Sequence, residues 1–141
     1  MPSFSHSVEL SQSPEQVFPW LLDEDKVPQW TSALNGYSLL GEPGIGAHAV
    51  QTLDVAGGVK LDMEITRYEP PSGVQMRAES NGVKVTSGYA LQPSGAGTKL
   101  TQTLDAKANG IQGRMVIGVV QSRLEKKVVE DLERLRGVLG G

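Results

Sequence analysis

The sequence predicts an α+β domain in which a meandering antiparallel sheet packs against one long C-terminal helix. Three observations carry this. The middle of the chain alternates apolar and polar residues between turn signals at Gly57-Gly58, Pro70-Pro71-Ser72-Gly73, Asn81-Gly82 and Pro93-Ser94-Gly95-Ala96-Gly97. The last thirty residues change period, with Ile117, Val120, Leu124, Val128, Leu132, Leu135 and Leu139 recurring every three or four positions. The opening stretch "SFSHSVEL" alternates again, with Phe4, His6, Val8 and Leu10 on one face and Ser3, Ser5, Ser7 and Glu9 on the other.

Each element follows from local chemistry. After the first strand, Ser13 precedes Pro14 and Glu15, which reads as an N-cap with proline at the first helical position and an acid in the first turn. Val17, Phe18, Leu21 and Leu22 make an apolar stripe, Pro19 is tolerable or kinking there, and a second helical turn ends near Pro28-Trp30. Strands are expected over 35–40 and about 46–55. In the meander, Leu61, Met63 and Ile65 share a face, as do Val74, Met76 and Ala78, then Val83, Val85, Tyr89 and Leu91, then Leu100 and Leu104. Asn81-Gly82 is the sharpest hairpin signal, because a two-residue turn wants positive φ at both positions. The final helix is strengthened by i,i+4 pairs, Lys126 with Glu130, Lys127 with Asp131 and Glu130 with Arg134.

Composition narrows the function. At 141 residues, one domain spanning 1–141 is expected, large enough to bury roughly 70% of its unfolded surface. The absence of cysteine excludes disulfides, thiolate metal sites and a cysteine nucleophile. The N-terminus has neither a basic n-region nor an apolar h-region, and no apolar run approaches the roughly 20 residues of a membrane span. A soluble cytoplasmic protein is therefore the expectation. The net charge of −3 comes from scattered residues, without the basic stripe and stacking aromatics that a nucleic-acid groove requires. His6 and His48 lie on different strands with no second ligand at metal spacing, so no metal or cofactor is expected. The glycine-rich stretches at 41–46 and 95–99 lack phosphate-loop context and are read as turns.

The segments "SVELSQSPEQVF" (7–18), "VPQW" (27–30), "GIGA" (44–47), "RYEPPSGV" (67–74), "GYALQPSGAGTKLT" (88–101) and "EDLERLRGVL" (130–139) resemble the START/SRPBCC superfamily, in its polyketide cyclase/dehydrase-like branch. The resemblance implies a helix-grip fold: a curved seven-stranded antiparallel sheet around the C-terminal helix, two short helices between strands 1 and 2, and a cavity for an apolar small molecule. The residues agree on one point. The inward face uses small or soft side chains (Ala78, Ser87, Met63, Met76), and aromatics are only 5% of the chain, so a wide sheet is left poorly filled.

The candidate cavity residues are His6, Trp30, Met63, Met76, Tyr89, Gln102, Met115 and Val119. Trp30 is either a plug under the helices or a ligand contact. Tyr89 and Gln102 bring polar groups to an apolar face, where each needs a partner from protein, water or ligand. His6 has three open roles: a satisfied wall histidine, a ligand hydrogen bond, or an acid–base catalyst with no visible carboxylate to orient it. His48 competes with Ala47, Ala49, Gln51 and Leu53 for the inward face. Arg67 sits where a bulge would swap faces and is left out. No catalytic residue is assigned. The leading function is binding or carrying an apolar lipid-, polyketide- or polycyclic-like molecule. The alternatives are a metal-free cyclase or dehydratase with Tyr89 and His6 moving protons, and an accessory or stress-related interaction domain. Met115, Val116, Ile117, Val119 and Val120 cover more than one helix face, which suggests either a weak homodimer or a further apolar wall at the ligand mouth.

Overall fold

A computed structural model describes residues 4–31, 34–53, 59–80 and 82–140. β1 (Phe4–Leu10) follows the predicted alternation, with Val8 and Leu10 buried and Phe4 and His6 partly so. α1 (Pro14–Val17) starts at a capping box: the Gln16 backbone donates to Ser13 Oγ, and the Gln16 side chain accepts from the Ser13 backbone. Pro19 falls inside a 3₁₀ turn at Phe18–Leu21, which spares an α-helix the missing donor. α2 is the short helix Val27–Trp30.

Six strands then run in sequence: β2 (Leu34–Leu40), β3 (His48–Leu53), β4 (Val59–Glu69), β5 (Gly73–Ser80), β6 (Val83–Ser94) and β7 (Gly97–Ala108). The predicted Gly57-Gly58 turn, Asn81 and residues 54–55 of the second predicted strand lie outside the described residues. The seven strands form one curved antiparallel sheet in the order β1-β7-β6-β5-β4-β3-β2, so β1 closes onto the last strand and the rest is a meander. The register shifts between Ile65 and Arg67. This bulge brings Tyr68 edge-on to Phe18, with ring centroids 5.7 Å apart, and turns Arg67 to solvent, where it pairs with Glu69 at 2.8 Å.

α3 (Gly110–Val138) packs on β1, β7, β6 and α2. Its two halves differ. Leu124, Val128, Asp131, Leu132 and Leu135 are buried in the second half, whereas between Gly113 and Leu124 no residue is fully buried. Gly113 is where the helix backbone meets the β5–β6 turn. A Cβ there would stand 1.9 Å from the Gly82 carbonyl oxygen, and the same oxygen accepts from the Asn109 amide at 2.6 Å. Gly118, five residues on, has open space around it. At the other end, the Gln12 side chain donates to the Leu139 carbonyl, and Thr98 Oγ1 donates to the Gln12 carbonyl at 2.7 Å.

Two outcomes follow for α3. Gly113→Ala forces backbone apart and should cost about 1–3 kcal/mol, as overpacking does, whereas Gly118→Ala should stabilise by about 0.5–1 kcal/mol; thermal melts of both variants check the opposite signs. Amide hydrogen exchange should be much faster across 114–123 than across 124–135, since the first stretch lacks buried anchors. Equal protection of the two halves would show the whole helix to be one rigid unit.

Candidate functional site

A partly open cavity of about 60 Å³ lies between the sheet, α2 and the second half of α3. Its apolar wall comes from residues that the two-residue period turns inward, among them Leu61, Met63, Met76, Val85 and Leu104, with Leu124 and Val128 of α3 opposite. The volume suits on the order of five water-sized positions.

The polar groups in the wall are brought together by register. Gln102 pairs with Tyr89 across β6–β7 and with His6 across β1–β7, which sets three polar residues in one row of the inner face. Gln102 is buried and its Nε2 donates to Ser87 Oγ at 3.2 Å. Tyr89 stacks edge-on against Trp30, with centroids 6.4 Å apart at 78°. Trp30, 2% exposed, donates its indole N–H to the Trp20 carbonyl at 2.8 Å, so it serves as a plug and presents only its ring to the cavity. Tyr37, also in the wall, donates its hydroxyl to the Leu22 carbonyl at 2.7 Å.

α3 adds an ion pair that the helical spacing by itself marks only as a surface pair. Lys127 Nζ lies 2.6 Å from Asp131 Oδ2, with the two side chains only 11% and 6% exposed, and both line the cavity. Burial pulls the Lys127 ammonium pKa down, while the Asp131 carboxylate acts against that shift. Burial, then the charge of Asp131, pushes the Tyr89 phenol up; burial, Glu24 and Asp23 do the same to Tyr37. A pair of this kind is expensive to desolvate, and removing one partner costs about 3–5 kcal/mol because the other charge stays buried. The signal was present in the period: Asp131 stands seven residues after Leu124 and three after Val128, on the stripe that faces the sheet.

Of the predicted residues, Trp30, Met63, Met76, Tyr89 and Gln102 meet at the cavity; His6, Met115 and Val119 do not line it. His6 shares the inner face but reaches α3, where Nε2 lies 3.2 Å from Glu133 Oε2, and Glu133 also binds Arg136 at 2.7 Å. The orienting carboxylate that the sequence does not reveal thus comes from 127 residues away, and it joins β1 to α3 outside the cavity. Met115 and Val119 are 79% and 54% exposed, because the α3 stripe facing the sheet runs through Val116, Ile117 and Val120 instead. Met115 and Val119, named among the candidate cavity residues, thus stand at the surface of α3 and not in this wall. His48 falls on the outer face and bonds Asp62 at 2.6 Å, leaving Ala47, Ala49 and Gln51 inward. Ala78 is buried but not in the wall. Among the described residues no group of three or more His, Asp or Glu is arranged to hold a metal ion, and no helix is long and apolar enough to cross a membrane.

Because both phenols are held protonated by burial, Tyr37 and Tyr89 should ionise only as the protein unfolds. An unfolded tyrosine loses its proton at about pH 10. The folded state therefore binds more protons above that pH, and stability should be intact below it and fall as pH rises further. Tyrosinate absorbance followed alongside far-ultraviolet dichroism checks the coupling, and Tyr89→Phe should remove one late-ionising group.

The chain is similar to an uncharacterized protein of Mycobacterium tuberculosis, Rv2574, at 25% identity over 111 residues, covering 76% of this chain. The chain spans 66% of the length of that curated relative. The solved structure of TTHA0849 from Thermus thermophilus superposes with a TM-score of 0.80 at 15% identity, covering 98% of this chain and 97% of the other. The di-domain ARO/CYC StfQ from the steffimycin biosynthetic pathway superposes with a TM-score of 0.74 at 10% identity, covering 96% of this chain and 49% of that one. These likenesses show the shared helix-grip fold. The family model described as polyketide cyclase / dehydrase and lipid transport matches residues 1–140, and with it this chain belongs to that SRPBCC-type family.

Proposed function

We infer that this chain binds an apolar small molecule, lipid-, polyketide- or polycyclic-like, in the space between the sheet and α3. The observation that carries the reading is a cavity lined mainly by apolar residues, with Ser87, Tyr89, Gln102, Lys127 and Asp131 in its wall. Apolar area supplies affinity there, and a few polar groups set orientation. The cavity volume of about 60 Å³ is below the roughly 150 Å³ of an engineered cavity that accepts benzene. A ligand of several rings or a long acyl chain therefore needs the space to widen. The stretch 114–123, without buried anchors, is the part of α3 that can move at least cost.

A second reading, a cyclase- or dehydratase-type enzyme, is favoured by one specific observation. Tyr89 and the Lys127–Asp131 pair offer proton donors and an acceptor in a desolvated place, as acid–base chemistry on a ketone requires. His6, turned to Glu133, is not needed for it.

Filling the cavity separates these ideas from an incidental void. Ala49, 1% exposed and in the cavity wall, is the site for the test. Ala49→Leu should abolish binding of an apolar fluorescent dye, and with it any small molecule that native mass spectrometry finds on the purified wild-type chain. The stability cost should be about 1–3 kcal/mol. Undiminished dye binding by a folded Ala49→Leu variant would place the ligand elsewhere.

A further inference from the structure

We propose that the ligand of this cavity carries an aldehyde or ketone group and that Lys127 captures it as an imine. The inference rests on the cavity-binding reading above and names the chemistry of the head group.

The geometry limits what the polar part of the wall accepts. An anionic head brought to Lys127 meets the Asp131 carboxylate 2.6 Å from Nζ, and a cationic head brought to Asp131 meets the ammonium. In a desolvated space a like charge at that range is strongly unfavourable. A neutral group that accepts a hydrogen bond suits the pair, and a carbonyl is the neutral acceptor with which a lysine also reacts. The apolar surroundings of Leu104, Leu124 and Val128 favour such a group over a hydrated one.

The reaction keeps the buried charge constant. Asp131 takes one proton from the ammonium, which frees the Nζ lone pair to attack the carbonyl carbon. The C–N bond forms as the carbonyl π pair moves to oxygen. Two protons that began on nitrogen end on that oxygen, which leaves as water, and the third stays on a protonated imine. The cation at position 127 is thus retained, and the Asp131 carboxylate keeps its partner. Burial of Lys127 lowers the cost of exposing the neutral amine, in the way that desolvated lysines are made nucleophilic. Lys60, Lys84, Lys99, Lys107 and Lys126 are exposed and provide an internal comparison.

The test uses the whole chain with butanal, a probe of about five heavy atoms matched to the cavity, and sodium cyanoborohydride to reduce any imine to a stable secondary amine. Peptide mapping by mass spectrometry should place the butyl group on Lys127 in preference to the exposed lysines by on the order of tenfold. 1-Butanol, which has the same chain but no carbonyl, should slow the labelling in proportion to its occupancy. Lys127→Arg keeps the charge and should lose the label at 127. If that variant does not fold, the map of the wild-type chain alone decides. Dye and butanol binding without labelling at Lys127 would overturn the imine and leave the cavity reading standing. Labelling spread evenly over the lysines, with no dye or butanol bound, would overturn both.

Discussion

One helix cannot cover this sheet, and the rest of the structure depends on that mismatch. Seven strands at about 4.8 Å make a surface about 29 Å wide, whereas an α-helix with its side chains is about 10 Å across. α3 lies on β1, β7 and β6, α1 also touches β6 and β7, α2 lies on β2, and Phe18 of the 3₁₀ turn meets Tyr68 of β4. Trp30 is the large side chain at the seam between the two covers, and Tyr89 meets it edge-on. The cavity is what remains beneath α2 and α3, where small wall residues such as Ala49 and Ser87 leave the space short of filled.

Holding the cavity open requires α3 to be fixed at its ends. At the N-terminal end this is a backbone contact, Gly113 against Gly82, which any side chain would prevent. At the C-terminal end it is polar: His6 to Glu133, and Gln12 to the Leu139 carbonyl. Leu124, Val128, Leu132 and Leu135 supply the apolar grip in between. The unanchored stretch 114–123 lies between two fixed points, so it can yield without the domain losing its core.

The Lys127–Asp131 pair is the feature that stability alone explains least. Buried ion pairs are often no better than well-packed apolar residues, while each half is costly without the other. Placed in the wall of a cavity beside Tyr89 and Gln102, the pair gives the apolar space a polar end and makes one orientation of a ligand distinct from its reverse. The family's breadth, from cyclases to lipid carriers, is consistent with a common apolar container whose chemistry is set by a few such residues.

The architecture was legible in the sequence because it depends on periods and turns, which are local. Alternation named the inward set Leu61, Met63, Ile65, Val74, Met76, Ala78, Val83 and Val85, and all are buried. The N-cap at Ser13 and the helical stripe through Leu124 and Leu135 were equally local. The cavity wall was legible only where a strand's face places a residue, as for Met63, Met76, Tyr89 and Gln102. For His6 the same periodicity gave the face and no ionic partner, since Glu133 is 127 residues distant and only the packing of α3 on β1 brings it there. Met115 and Val119 were misjudged because a helix stripe drifts around the axis, and which arc meets the sheet is settled by where Gly113 and Leu124 are pinned. Lys127 and Asp131 looked like a surface pair, as most i,i+4 charges are. Asp131 stands on the apolar period itself, but what buried Lys127 beside it was the sheet and α2 closing over that side of α3, a property of the assembled covers.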